Sequence, residues 1–227
     1  MKKPYTLIFL IGWCILFFSP VSAGDIPPCL TLQPASTMER SIRAAGIIDV
    51  ELLARLVYAE TASTGFPDHR SVYEAIAWGV MNRVRLGDAS PSMQKVYGKG
   101  VSGVIFQKGQ FNPAVSKKSP FSKEFLCPRD PRRWTMAWSA AEIAMKGDGN
   151  PFIETRWERE HGISLVVNFY YPRSVQAKTP LAPWEAVKGL QFIGDVSLGK
   201  DLLTADKVRF YRLTRPPGDV AAVHTSE

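Results

Sequence analysis

The stretch from Asp49 to Glu60, DVELLARLVYAE, constrains the fold most, because it has the pattern of an amphipathic helix with a carboxylate on its apolar side. Leu53, Leu56 and Val57 precede Glu60 at the spacing that stacks side chains on one face of a helix. Asp49 is the expected N-cap residue. The pattern therefore predicts a helix with Glu60 in its last turn, pointing toward the core.

The residues after Glu60 set its expected chemistry. Thr61, Gly65 and Pro67 interrupt the pattern, which places Glu60 in the last turn, where the helix dipole disfavours a charged carboxylate. Burial raises the pKa further. A carboxylic acid that stays protonated near neutral pH is the proton donor that glycosidic bond cleavage needs. The same pattern also fits a buried Glu held by an Arg, or a helix-end Glu that is solvated.

Residues 1–23 have the composition of a secretory signal peptide. Lys2 and Lys3 form a basic start, an apolar run follows from Leu7 to Phe18, and a V-S-A sequence ends at Ala23. Cleavage after Ala23 predicts a periplasmic or secreted protein. The apolar run is short for a membrane span, so no stable membrane insertion is expected after cleavage, with an uncleaved anchor as the alternative.

The predicted export changes the net charge of the mature chain and the expected state of its cysteines. Removal of the signal lowers Lys and Arg from 28 to 26 against 21 acids, which leaves a net charge of +5. A basic exported protein suits acidic cell-wall polymers, and its scattered Lys and Arg do not indicate nucleic acid binding. Cys29 and Cys127 remain, and in an oxidising compartment we expect them to form a disulfide; two free thiols are the alternative.

A second helix is predicted over Ser71–Arg85, preceded by an N-terminal arm and short helix over 24–46. Ser71 and Glu74 match the S-x-x-E capping box, which gives Glu74 a structural role. Arg83 lies on the same side of this helix as the apolar residues. Residues 88–99 are predicted to be a loop.

The remainder of the chain predicts an α+β fold, mainly α, in a single domain over 47–215. A long irregular segment, 112–133, leads to a third helix over Trp134–Lys146, and 154–161 fits an exposed helical turn. Three short strands, ISLVVNFYYP, LQFIGDVSLG and KVRFYRL, form a small antiparallel β-element in the C-terminal third, with a short helix near Pro183–Gly189. Residues 216–227 are predicted to be a flexible tail.

Five segments together resemble the SleB-type cell-wall hydrolases, a family named for the catalytic domain of the bacterial spore cortex-lytic enzyme. They are LARLVYAE (53–60), AIAWGVMNRVR (75–85), VSGVIFQKGQF (101–111), the G-x-G-x-P that ends the Ala-rich helix (147–151) and NFYYP (168–172). The resemblance implies a lysozyme-like, lytic-transglycosylase-like catalytic domain over 47–215. It also implies cleavage of the MurNAc-GlcNAc β-1,4 bond in peptidoglycan glycan strands. No cofactor is expected.

The resemblance implies roles for seven residues. Glu60 matches the catalytic acid of the family, and Arg83 supports the site. The residues implied to bind substrate are Asn82, Gln110, Phe111, Tyr170 and Tyr171. The residues themselves leave alternatives open: Arg83 as a snorkelling surface residue, Asn82 as a structural hydrogen-bonder, and either tyrosine as a packing residue. The chain departs from the family in a longer loop after Glu60, a missing second Glu and an expanded 112–133 segment.

The number of acids favours a lytic transglycosylase over a hydrolytic muramidase. A muramidase needs a second carboxylate as base or nucleophile, whereas a transglycosylase uses the sugar's own hydroxyl. Asp68 and Glu74 are the nearest candidates in the chain, one in a turn and the other in the predicted capping box. We therefore expect a 1,6-anhydro-muramic product.

Other classes have less support. A zinc amidase needs about three ligands, and His69, His161 and His224 form no ligand motif, so no metal is expected. A serine hydrolase would be expected to show G-x-S-x-G, which is absent. A non-catalytic wall-binding protein is a further alternative, but it would be free to replace Glu60. Protein partners remain open.

Overall fold

The computed structural model describes residues 25–33 and 36–220, so the predicted signal peptide and the end of the predicted tail lie outside the described residues. Helices make up 45% and strands 10%, with a small antiparallel sheet in the C-terminal part, which confirms the mainly helical α+β class. None of the described helices has the length and apolar composition to cross a membrane.

In the described residues, the helices come first along the chain and the strands follow them. The helices are α1 (Met38–Ala44), α2 (Asp49–Thr64), α3 (Arg70–Ala89), α4 (Pro91–Tyr97), α5 (Gly100–Ile105), α6 (Asn112–Val115), α7 (Ser122–Leu126), α8 (Pro131–Lys146) and α9 (Arg156–His161). The strands are β1 (Val166–Tyr170), β2 (Leu190–Phe192), β3 (Val196–Leu198), β4 (Asp201–Leu203) and β5 (Arg209–Leu213).

The core forms where α2, α3 and α8 pack against one another. Leu53, Leu56 and Val57 of α2 are fully buried, as their spacing predicted. The buried side of α8 consists largely of small residues, and this allows a close helix approach. These are Ala137, Ala140, Ala141 and Ala144.

A three-stranded antiparallel sheet with the order β1-β5-β2 covers α3, and β3 and β4 form a separate hairpin. Gly79 of α3 lies against this sheet. A Cβ atom at this position would be 2.8 Å from Cε1 of Phe169 on β1. Only glycine therefore allows α3 to approach β1 this closely, one helical turn before Arg83.

The N-terminal arm is joined to the segment between α7 and α8. Cys29 and Cys127 lie at disulfide distance, with Cα atoms 4.2 Å apart, which confirms the predicted pairing. Arg55 of α2 is fully buried beside them and donates hydrogen bonds to the carbonyls of Pro28 at 2.8 Å and Leu126 at 3.0 Å. The arm is thus attached to the same helix that carries Glu60.

The boundaries of α2 differ from the prediction at both ends. The N-cap residue is Ile48 and Asp49 lies within the first turn, so the Asp49 cap was wrong. The helix continues to Thr64, and Gly65 ends it with a φ of 84°. The Thr64 hydroxyl donates to the carbonyl of Thr61 at 2.7 Å within this last turn. Glu60 consequently lies one turn before the end, where the dipole acts less on it.

The predicted capping box at Ser71 and Glu74 was also wrong. Helix α3 begins at Arg70, one residue earlier, and its N-cap residue His69 makes no side-chain cap. Ser71 is therefore already inside the helix. Glu74 instead accepts a hydrogen bond at 2.7 Å from Arg70, four residues earlier on the same face.

Two segments predicted to be irregular contain helices. Residues 88–99 include α4, which Ser90 caps and Pro91 begins, and 112–133 includes α6 and α7. Conversely, the helix predicted near 183–189 is a series of turns.

Two predictions of exposure also need correction. Glu158 of α9 is fully buried, because it completes a capping box with Thr155 and accepts a hydrogen bond from the Leu165 amide at 2.8 Å. The predicted tail is anchored at Asp219, which accepts a hydrogen bond at 2.7 Å from the amide of Ser92 on α4.

Candidate active site

A cleft of about 320 Å³ opens beside the C-terminal half of α2. Its walls come from α2, α3, the stretch that follows α5, and the chain from the end of β1 onward. The lining residues are Glu60, Ser63, Arg83, Gly109, Gln110, Phe111, Asn112, Pro113, Asn168, Phe169, Tyr170, Tyr171, Ser174, Gln176, Ala177 and Trp184. Six of the seven residues implied by the family resemblance are among them.

Glu60 lies in the cleft wall with 6% of its surface exposed. Burial raises its pKa to about 7, and two neighbours, the Tyr171 hydroxyl and the Arg83 charge, oppose this rise. Desolvation is the dominant cause because a charged carboxylate loses its hydration in this position. Glu60 is the only carboxylate among the described residues that line the cleft. The cleft therefore contains a single acid that is half protonated near neutral pH.

The Tyr171 hydroxyl is buried next to Glu60. It lowers the pKa of Glu60, but it makes no hydrogen bond of standard geometry with any described residue. Burial and the nearby Glu60 carboxyl hold the pKa of Tyr171 well above its usual range. Tyr171 therefore keeps its proton and can donate it in a hydrogen bond once Glu60 becomes a carboxylate.

Arg83 is buried, with 5% of its surface exposed, which rules out a snorkelling surface position. Its Nε donates to the carbonyl of Val167 at 2.5 Å, and its Nη1 donates to Oε1 of Gln110 at 2.7 Å. The guanidinium lies 4.9 Å from the centre of the Phe111 ring and 4.8 Å from that of Phe169. Arg83 thus organises the cleft by hydrogen bonds and cation–π contacts.

Both predicted tyrosines line the cleft, although strand alternation was expected to send one of them away. Strand β1 ends at Tyr170, so the alternation stops before Tyr171. The Tyr170 hydroxyl donates to the carbonyl of Thr179 at 2.6 Å, and its ring packs edge-on against Trp184. The two side chains therefore form different parts of one wall.

Asn82 does not line the cleft, and its contacts fit the alternative of a structural hydrogen-bonder. It is fully buried, its Nδ2 donates to the carbonyl of Val166 at 2.9 Å, and its Oδ1 accepts from Asn150 at 2.7 Å. Both ends of its amide are occupied, so Asn82 joins α3 to β1. Asp68 also lies outside the cleft and bonds with Arg133 at 3.1 Å.

The sequence interpretation missed seven polar or aromatic residues of the cleft. These are Ser63, Asn112, Asn168, Phe169, Ser174, Gln176 and Trp184. Asn168 stands inside the NFYYP motif, which offered a signal. Trp184 had none, because it reaches the cleft only when the chain folds back and Glu185 accepts a hydrogen bond from Arg209 of β5 at 2.7 Å.

Within the described residues, no group of three His, Cys, Asp or Glu side chains is placed to hold a metal ion. Metal-free chemistry stays a prediction. Comparison of the chain with protein-family models, curated proteins and solved structures finds no match. The function is therefore argued from the geometry of the cleft.

Proposed function

We propose that this protein is a lytic transglycosylase of the SleB type that cleaves the MurNAc-GlcNAc β-1,4 bond of peptidoglycan glycan strands. One observation carries the proposal: Glu60 is buried in a cleft, is the only carboxylate among the described lining residues, and has a pKa raised to about 7. These are the properties of a general acid that works without a carboxylate partner.

The reaction follows from one acid. Protonated Glu60 donates its proton to the glycosidic oxygen, and the bond from that oxygen to C1 of the muramic acid breaks. The resulting carboxylate then takes the proton of the C6 hydroxyl of the same sugar, whose oxygen bonds to C1 and forms the 1,6-anhydro product. Between the two steps, Tyr171 and Arg83 stabilise the Glu60 carboxylate, in keeping with their lowering of its pKa.

A hydrolytic muramidase is less well supported. A retaining enzyme needs a second carboxylate about 5 Å from the acid, and an inverting enzyme needs one at roughly 6.5 to 9.5 Å. Asp68 and Glu74, the nearest candidates in the chain, do not line the cleft and are paired with Arg133 and Arg70. The cleft thus favours the sugar's own hydroxyl as the second group.

Export supports the same proposal. The signal-like N-terminus and the Cys29–Cys127 pair at disulfide distance both fit the periplasm or the cell exterior, where peptidoglycan lies. We therefore place the enzyme in the bacterial cell envelope.

Glu60→Gln tests the proposal, because glutamine keeps the volume but cannot donate the proton. We expect release of soluble fragments from purified sacculi to fall by about 10²- to 10⁴-fold. Glu74→Gln is the matched control, since Glu74 pairs with Arg70 outside the cleft and its loss should leave the rate unchanged. Near-full activity of a folded Glu60→Gln variant would refute the assignment.

A further inference from the structure

The segment 172–189, which joins β1 to β2, supplies part of the cleft wall although it consists of turns and contains no helix or strand. An irregular segment of this length keeps one shape only where specific contacts offset the conformational entropy that it loses. The geometry of this wall therefore depends on how the segment is attached to the sheet. Its cleft-lining residues are Ser174, Gln176, Ala177 and Trp184.

Glu185 is the only carboxylate in this segment, and it is bonded to the sheet. Its Oε1 accepts a hydrogen bond from Nη2 of Arg209 at 2.7 Å, and its Oε2 accepts one from the Tyr211 hydroxyl. Both partners lie on β5, the central strand of the three-stranded sheet. Nε of Arg209 also donates to the Tyr211 oxygen at 3.1 Å, so the three side chains form one closed network.

The protonation states favour this network at neutral pH. Burial alone would raise the pKa of Glu185, but the hydrogen bonds from Tyr211 and Arg209 outweigh it and lower this pKa. Burial and the bond to Glu185 raise the pKa of Tyr211 to about 12. Glu185 is therefore a carboxylate, and Tyr211 keeps the proton that it donates. Hydrogen bonds to a charged acceptor of this kind are stronger than neutral ones.

Trp184, the residue before Glu185, connects this network to the cleft. Its ring packs edge-on against Tyr211, with 6.2 Å between the ring centres, and edge-on against Tyr170, with 6.0 Å between the centres. Trp184 and Tyr170 line the cleft, whereas Glu185 does not. An effect of Glu185 on the cleft must therefore pass through the wall segment that it holds.

We infer that Glu185 is a positioning residue, which fixes Trp184 and the rest of the segment as a substrate-binding wall. This inference rests on the proposed function, because it takes a glycan strand as the occupant of the cleft. A detached wall lowers the fraction of molecules whose cleft can bind, so more substrate is needed for the same occupancy. The chemical step is separate, since Tyr171 and Arg83 are the groups that oppose the raised pKa of Glu60.

Cleavage rates at increasing concentrations of purified sacculi test the inference. Glu185→Ala removes the anchor but no cleft-lining side chain. We expect the half-saturating sacculus concentration to rise about threefold to tenfold, and the maximal rate to change by less than about twofold. Glu154→Ala is the matched control, because Glu154 pairs with Arg212 of the same strand at 2.8 Å outside the cleft, and it should change neither quantity.

A second variant separates anchoring from direct contact between Glu185 and the substrate. Arg209→Met removes the other half of the ion pair but keeps an apolar side chain over the Phe192 ring, whose centre lies 4.0 Å from the guanidinium. It should raise the half-saturating concentration as Glu185→Ala does. The double variant should show no further rise, since both changes break the same network.

An unchanged half-saturating concentration in folded Glu185→Ala would overturn the inference, and so would a loss of maximal rate without a rise in that concentration. A rise in the double variant equal to the product of the two single rises would also overturn it. If Glu185→Ala fails to fold, Arg209→Met decides by the same measurement. Failure of the proposed function is seen separately, as sacculus cleavage that survives Glu60→Gln.

Discussion

Two buried arginines, Arg55 on α2 and Arg83 on α3, differ in how they interact with a nearby carboxyl group: Arg55 forms an ion pair with it and Arg83 does not. Arg55 forms an ion pair with Glu51 at 2.8 Å and also donates to the carbonyls of Pro28 and Leu126. Arg83 forms no ion pair within 4.0 Å among the described residues, although its charge acts on Glu60. The first arrangement is a closed structural unit, and the second leaves a carboxyl group without a direct partner.

The difference shows how an arginine near a glutamate can give either a structural ion pair or a glutamate that stays protonated. A guanidinium in contact with a carboxylate stabilises the charged form and lowers the carboxyl pKa. Arg83 donates to Val167 and Gln110 and has no hydrogen bond to Glu60 among the described residues, and burial raises the pKa of Glu60 to about 7.

The largest effect is expected on the free energy of unfolding when Arg55 is replaced. Arg55→Met leaves Glu51 without its partner and removes the side-chain donor to the Pro28 carbonyl, so the free energy of unfolding should fall by about 3 to 5 kcal/mol. Arg70→Met removes a comparable i,i+4 pair that is exposed, and it should change stability by about 0.5 kcal/mol or less. Urea unfolding of both variants measures this, and equal losses would contradict the contrast between buried and exposed pairs.

Glu60→Gln should stabilise the protein, but only at higher pH. In the folded protein the pKa of Glu60 is raised to about 7 from a usual 4.5, so its neutral form costs nothing at low pH and ionisation is penalised as pH rises through this range. The difference corresponds to roughly 3 kcal/mol. Unfolding at pH 8 should therefore show the variant to be more stable by up to about this amount, with no gain at pH 4.

Glu74→Gln provides the control for this pH dependence, since Glu74 is not in the cleft. It should show no comparable gain at pH 8. A stabilisation by Glu60→Gln that is the same at both pH values would mean that the carboxyl group is not held as a neutral acid.

Tyr171→Phe should have the smallest effect. Activity requires protonated Glu60 and falls as pH rises through about 7. The Tyr171 hydroxyl lowers this pKa, so its removal should move the midpoint of the falling limb upward by less than about one pH unit. Tyr170→Phe removes a hydroxyl that bonds to Thr179 and should leave the midpoint in place. A downward shift in Tyr171→Phe would contradict the assigned contact.

The helical period was enough to predict the inward direction of Glu60 and the buried side of α2, because both depend on local spacing. The burial of Arg83 followed from the same rule. Glu74 was misassigned because a one-residue shift of the helix start removes a capping box, and boundaries depend on tertiary packing. Ser90-Pro91 was a local N-cap signal in a segment interpreted as a loop.

The far wall of the cleft could not be predicted from local patterns. Trp184 follows a segment of turns, and its position depends on contacts with the distant strand β5, including the edge-on packing of its ring against Tyr211. The orientation of the Gln110 side chain likewise depends on a partner far along the chain, Arg83.

The most direct test of the account is the fate of water during cleavage. Purified sacculi would be digested in heavy-oxygen water and the fragments analysed by mass spectrometry. One acid without a second carboxylate predicts 1,6-anhydro-muramic ends that contain no label. Reducing muramic ends with one labelled oxygen per cut would contradict the account and would show that a base outside the described cleft lining activates water.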